Sequence, residues 1–388
     1  MGRPHPALIP LAGGRGLGEF DDPGALVDSA FEHKMGGLLW TAERDGSLLP
    51  HDQRMRLAVA DGACRYRHGE IWRCLELVEG KLQVLGAETA VLKGIAAEAR
   101  WYRRMGERPC SDLDLWLAPH CVTAIEDVVA ALDPHHPLLG DLGPLVAKGI
   151  LQSVDVRSPV PGIGIDMHID PFKLGVRTRG MESMWARTEV VACAEGRRAR
   201  ILDAESSLIL FLLHLNKDRF RYLLGFVDVV RTIEGSPIDR DKLSEIADEN
   251  GLSVPVFRSL EVVSSTLMFG SLGPGTKRGW RRLVWDRAWR PGVRLQGHDG
   301  RTRFRYRQQL VGITARGRAF EAVRDTARKM IPSKPLFAYY QPGPPASYAT
   351  LLRRRVRGWW LRRRERARKT PVSAPDRRSA AASIPGDG

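Results

Sequence analysis

The sequence predicts an α+β protein: a small mixed sheet with flanking helices, then a helical domain, then a basic C-terminal tail. Three observations predict it. Strand-like runs, short and apolar or alternating with period two, are confined to residues 89–169. From Asp203 onward the apolar residues recur at helical spacing. Charge is divided as well: residues 271–388 carry 29 Lys/Arg against 7 Asp/Glu, and residues 1–270 carry 31 against 38.

Residues 1–24 are rich in Gly and Pro and read as a loose N-terminal segment. Gly13-Gly14-Arg15-Gly16-Leu17-Gly18 resembles a phosphate loop. No predicted strand precedes it and no clear helix follows, so it fails the context a dinucleotide fingerprint requires. N-terminal helices occupy 25–80, one over 25–44 and one over 52–80. In the second, Leu57, Ile71, Cys74, Leu75 and Leu77 supply an apolar face, with Asp52 near its start.

The sheet-bearing core covers 81–200. Thr89–Leu92 is a short apolar strand ending at Lys93-Gly94, Ile95–Tyr102 is helical, and Arg103–Ser111 is a polar loop containing Pro109. Asp112–Leu117 alternates strictly: Leu113, Leu115 and Leu117 on one side, Asp112, Asp114 and Trp116 on the other. That pattern predicts a half-buried strand. A helix over 120–132 and a Pro/Gly-rich connection over 133–149 follow. Ile150–Arg157 and Ile163–Ile169, joined by the turn SPVPG, predict an antiparallel hairpin. In its second strand Gly164, Asp166, His168 and Asp170 share the polar face.

The helical domain covers 201–270. Asp203 is the expected N-cap of a helix carrying Leu208, Phe211, Leu212 and Leu215, and helices over 219–234, 240–250 and 254–269 follow. A basic helical region is expected over 271–370, with a Pro-rich break at 332–345 and an amphipathic helix at 347–369. In that helix Leu352, Val356, Trp359 and Trp360 interleave with seven arginines, and a disordered tail ends the chain at 371–388.

Composition excludes several classes. With 43% apolar and 27% charged residues the chain is too apolar for a disordered protein. Five scattered cysteines without a CxxC argue against a disulfide framework or a structural zinc site. His135-His136 are adjacent in a Pro-rich loop, a spacing that seldom chelates one ion. The longest apolar run, Leu208–Leu213, is far short of the ~20 residues that span a bilayer. No signal-peptide core opens the sequence, so a cytoplasmic protein is expected.

The strongest chemical signal is the carboxylate set. Asp112 and Asp114 stand at i and i+2 on a strand and so project from one face a few ångströms apart. Carboxylates that close repel unless a positive group sits between them, and Mg2+, a hard cation, does this with one or two carboxylates plus substrate phosphates. If the strand carrying Asp166 neighbours theirs, three carboxylates converge into a metal site for in-line phosphoryl or nucleotidyl transfer. Upstream, Lys93-Gly94 joins a strand to a helix through a residue that lets phosphate approach the backbone and a helix N-terminus. Arg108 and Ser111 stand just before the DxD, where phosphate oxygens would arrive.

The order VLKG (91–94), RPCSDLDLWL (108–117), GIDMH (164–168) and a helical LFLLHLNKDRF region ending in FVDVV (226–230) resembles the polymerase β-like nucleotidyltransferase superfamily. More narrowly, it resembles the bacterial family of uncharacterised nucleotidyltransferases. The resemblance runs over roughly residues 30–270. It implies that Gly94, Asp112, Asp114 and Asp166 carry the superfamily pattern, with the three aspartates catalytic and metal-binding. The implied cofactor is Mg2+, two ions, with Mn2+ as a substitute. Gly94-Ile95 stands where a Gly-Ser pair is usual, leaving Ser111 to supply the missing hydroxyl.

Around this core, Lys93, Gly94, Arg108, Ser111, His168, His214 and Lys217 are candidate nucleotide-binding residues. His168 shares the face of Asp166 and is placed to contact a phosphate or to help deprotonate the acceptor hydroxyl. His214 and Lys217 lie three apart on a helix, with Arg221 a turn further on the same side. Asp228 is expected to pair with a helix cation. The predicted function is transfer of an NMP group from an NTP, ATP favoured, to an unidentified acceptor. The basic tail points to a polyanionic partner, nucleic acid or an anionic membrane surface. A non-catalytic nucleic-acid- or membrane-surface-binding protein retaining the fold is the alternative.

Overall fold

The structure, a computed structural model, describes residues 3–267 apart from 47, 174–177, 194–195 and 219. The basic region at 271–370, its amphipathic helix and the tail at 371–388 lie outside the described residues.

A six-stranded mixed sheet organises the core. Its strands are β1 (Thr89–Leu92), β2 (Asp112–Leu117), β3 (Ser153–Val156), β4 (Gly164–His168), β5 (Glu189–Ala192) and β6 (Arg198–Ile201), in the order β3-β4-β2-β1-β6-β5. The predicted hairpin forms, β3 antiparallel to β4. β2 runs antiparallel to β1 and parallel to β4, which makes the DxD strand and the Asp166 strand neighbours. β1 pairs in parallel with β6 at Val91–Ile201, and β5 closes the edge antiparallel to β6. The pair β5/β6 had no strand expectation; its exposed Val190 and the alternation of arginines in Arg198–Ile201 give little hydrophobic signal.

Twelve α-helices are described. The expected helix over 25–44 is two, α2 (Pro23–Glu32) and α3 (Gly36–Glu43). The break is a left-handed helix end: Lys34 has φ 61°, Met35 N donates to Ala30 O at 2.7 Å and Lys34 N to Phe31 O at 3.1 Å. Lysine thus occupies a position that normally selects glycine. Gly37 at the start of α3 presses on the 103–111 loop; a Cβ there would meet Gly106 O at 2.3 Å and Glu107 O at 2.5 Å. The segment read as loose contains a short helix, α1 (Leu8–Ala12), with Leu8 and Ala12 buried.

The helix expected over 52–80 is longer, α4 (His51–Val84), and Leu77 is exposed rather than part of its buried face. α5 (Gly94–Trp101) follows β1. The helix expected over 120–132 opens with a 3-10 turn at Pro119–Ala124 before α6 (Ile125–Leu132), and the 133–149 connection holds α7 (Leu142–Ala147). α8 (Met181–Ala186) sets Trp185 edge-to-face on Trp116, centroids 5.3 Å apart. That contact helps explain why β2 is not half-buried: every residue after Asp112 is buried.

α9 (Ala204–Lys217) is N-capped by Asp203, whose side chain accepts from Ser206 N. α10 (Leu223–Gly235), α11 (Arg240–Glu249) and α12 (Ser253–Leu267) complete the helices. One apolar cluster joins sheet and helices, from Leu92 and Trp116 to Leu208, Phe226 and Leu260. No described helix is long and apolar enough to cross a membrane.

Candidate active site

The site gathers at one end of β1, β2 and β4. The parallel register sets Asp112 opposite Gly164 and Asp114 opposite Asp166. Two of the three expected carboxylates, Asp114 and Asp166, therefore converge, with His168 between them. His168 Nε2 lies 2.8 Å from Asp114 Oδ1 and 3.4 Å from Asp166 Oδ2, and the ring is fully buried. Asp114, Asp166 and His168 form the one group among the described residues whose donor atoms lie close enough to share a metal ion. Asp112 is outside that group: exposed at the start of β2, its Oδ1 accepts from Ser111 Oγ at 3.0 Å.

Two lysines stand on the acids. Lys93 Nζ donates to Asp114 Oδ1 at 2.7 Å, and Lys173 Nζ pairs with Asp166 Oδ2. Burial pushes the Asp114 carboxyl up, but the His168 hydrogen bond and Lys93 outweigh it and hold Asp114 well below the usual carboxylate range. Asp166 is likewise held low, burial being overcome by His168 and Lys173. Burial in turn lowers Lys173, partly offset by Asp166. The chain itself thus supplies positive charge to Asp114 and Asp166, while Asp112 is bonded to Ser111.

The donor set still suits a divalent metal. Asp166 Oδ1 is buried without a hydrogen-bond partner, an orphaned acceptor of the kind a cation satisfies. Carboxylate oxygens are also the ligands hard cations prefer.

A cavity of about 360 Å³ opens beside these groups, lined by Lys93, Gly94, Arg108, Ser111, Asp112, Asp114, Asp166, His214 and Lys217, so the predicted residues other than His168 meet there. Gly94 has a steric reason as well as a chemical one: a Cβ would come within 2.5 Å of Cys110 Sγ. Burial pushes that thiol up to about 12, so it stays protonated. Burial, aided by Lys93 and Lys217 against Asp218 and Asp114, lowers His214 to about 4 and keeps it neutral.

Arg108 is placed differently from a free phosphate ligand. Its Nε and Nη2 each lie 2.8 Å from a carboxylate oxygen of Asp228, both side chains being buried, while Tyr102 Oη donates to Asp228 Oδ1 at 2.7 Å. Asp228 is thus paired with an arginine of the 103–111 loop and not with a helix cation. Arg221 lies beyond the end of α9 and sets its guanidinium 5.3 Å from the Tyr222 ring.

Three participants escaped sequence reasoning. Lys34 lines the cavity from the α2–α3 break, its ammonium 4.5 Å from the Tyr222 ring, and Tyr222 lines the cavity too. Lys173 follows β4 in a turn held by Asp170, whose Oδ1 accepts from Phe172 N at 3.0 Å. The described non-glycine residues with positive φ are Lys34, Lys93, Lys173 and Phe220. Three of these four are lysines, Lys34 and Lys93 lining the cavity and Lys173 pairing with Asp166. The available sequence signal was modest: Lys34 and Lys93 stand next to the ends of elements, and Lys173 lies in the segment after β4.

A family model described as "Uncharacterised nucleotidyltransferase" matches residues 20–268. No curated protein and no solved structure matches.

Proposed function

The chain belongs to the uncharacterised nucleotidyltransferase family, and from that premise we propose that it moves an NMP group from an NTP, with ATP the first nucleotide to test, to an acceptor hydroxyl or phosphate. In this reaction an acceptor oxygen bonds to the α-phosphorus, the bond from that phosphorus to the bridging oxygen breaks, pyrophosphate leaves and a hydroxyl acceptor releases its proton. Asp112, Asp114 and Asp166 would hold divalent metal, two Mg2+ or Mn2+ ions in our assignment, supplying Lewis-acid charge for the phosphoryl oxygens.

The chain's own residues bind and orient. Lys93 and the α5 N-terminus at Gly94 face the phosphates, with Ser111 as hydroxyl donor beside Asp112. Lys34, His214 and Lys217 also line the cavity and bind the polyphosphate or the acceptor. His168 fixes the Asp114 and Asp166 carboxylates relative to one another. Arg108 and Asp228, paired with each other, form part of the cavity lining.

The register of Asp114 against Asp166, with an orphaned Asp166 oxygen beside the cavity, carries this reading. Incubation of the protein with α- and γ-labelled NTPs, Mg2+ and a cell extract tests it. Label from the α-position should appear in an acceptor, γ-label should not, and Asp112→Asn should abolish both transfer and pyrophosphate release. Absence of α-label transfer from every NTP would overturn it.

A further inference from the structure

The long helix α4 is apolar on two sides. Its inner side buries Leu57, Ile71, Leu75, Val78 and Leu82 in the core. At 3.6 residues per turn, Met55, Val59, Gly62, Tyr66, Gly69, Arg73, Leu77, Gly80 and Val84 fall within about 40° of one line on the other side. Of these, Met55, Val59, Tyr66, Leu77 and Val84 are exposed, Val84 at 86% and Tyr66 at 74%. The stripe is about 44 Å long at 1.5 Å per residue. Large apolar side chains on a solvent-facing helix side mark an interaction surface.

The glycines make the case specific. A Cβ at Gly62, Gly69 or Gly80 would meet nothing within 4 Å. This fold therefore does not require glycine there, and glycine destabilises a helix interior relative to alanine. Flat spots along an apolar stripe are what a second helix needs for close approach.

We propose that this face of α4 is the interface of a two-fold symmetric dimer of the chain, with the two α4 helices antiparallel and crossing between Gly69 and Glu70. The reason for choosing a second copy is that the stripe is its own complement. In that register Val59 of each copy falls opposite Gly80 of the other, Leu77 opposite Gly62, Met55 opposite Val84 and Tyr66 opposite Arg73. Each large residue meets a glycine or a residue it packs against, and Tyr66–Arg73 is a cation–π pair. An isologous contact demands this reciprocity, residue i on j and j on i. Charge agrees on one flank: Arg65 and Glu76, both well exposed, come within two positions of one another across the dyad. An unrelated partner would impose no such palindrome of sizes.

Sedimentation velocity of the full-length protein over a wide concentration range tests the proposal. A dimer should form. Gly62→Glu and Tyr66→Glu, both on open surface, should raise its dissociation constant at least about a hundredfold, with far-UV circular dichroism unchanged. Arg65→Glu and Glu76→Arg should each weaken the dimer, and the double reversal should recover most of the loss. A monomer at every concentration, or a dimer indifferent to Gly62→Glu, would overturn it.

Discussion

Asp114 and Asp166 stand opposite each other on adjacent parallel strands, joined through a single buried nitrogen, His168 Nε2. Each carboxylate also carries its own lysine, Lys93 on Asp114 and Lys173 on Asp166. The acids are thus kept ionised before any metal or nucleotide arrives, because the buried negative charge is already compensated.

Asp112→Asn and Asp114→Asn should separate chemistry from stability. Both should lose nucleotidyl transfer by at least about a hundredfold, the scale of removing one positioned electrostatic stabiliser. Asp112 is exposed, so its variant should melt with the wild type. Asp114 is buried beside Lys93 and His168, so its variant should lose about 3–5 kcal/mol, as when one partner of a buried pair is removed. This reverses the expectation of relieved repulsion that an isolated DxD suggests. Because the Asp114 carboxyl is held low, its stabilisation is complete above the ordinary carboxylate value of about 4 and is lost as pH falls through the folded value. The melting difference between wild type and Asp114→Asn should therefore be full at neutral pH and shrink in acid.

The buried pair His68–Glu98 should titrate on the alkaline side. His68 Nδ1 lies 2.5 Å from Glu98 Oε1 and Cys64 Sγ 3.6 Å from its Nε2. Burial lowers the imidazole, but the Cys64 and Glu98 hydrogen bonds raise it to about 9 from 6.5. A raised folded value means stability that is complete below the unfolded value and is lost as pH rises through the folded one. The melting temperature should decline between these two pH values. Glu98→Gln should flatten that slope; an unchanged slope would show that the pair does not carry it.

Lys173→Met should tighten divalent-metal binding in the absence of nucleotide. The lysine occupies Asp166 Oδ2, so an incoming cation displaces it or shares the oxygen. Removing one positive charge this close should raise Mn2+ affinity on the order of tenfold, measured by titration calorimetry. Weaker Mn2+ binding would mean that Lys173 instead orders the carboxylate for the metal.

Asp228→Asn should damage the fold about as much as Asp114→Asn does. It would leave Arg108 buried and without its bidentate carboxylate, a loss of about 3–5 kcal/mol. The change should appear as earlier melting in apo protein, before any effect on turnover is considered.

Much of this arrangement was legible in the chain. Strand β2 was bounded correctly at Asp112–Leu117 because strict alternation survives in a short segment, and Asp203 was identified as an N-cap by residue type and the apolar period that follows. The α2–α3 break was not, since lysine replaces the glycine that advertises a left-handed helix end. β5 and β6 escaped because an edge pair with exposed and charged residues carries little hydrophobic period.

The sequence alone determined that acids at i and i+2 share a strand face, that a glycine follows a lysine where a strand enters a helix, and that α9 begins at its cap. These are local facts, set by backbone periodicity and residue chemistry within a few positions. The tertiary structure decided the rest: that Asp166 faces Asp114 and not Asp112, that His168 bridges them, that Arg108 pairs with Asp228, that Lys34 lines the cavity and that Lys173 pairs with Asp166. Those pairings join residues up to 120 positions apart. They depend on which strands become neighbours and which charges are desolvated together, as when Lys173 pairs with Asp166, quantities that exist only once the chain has packed.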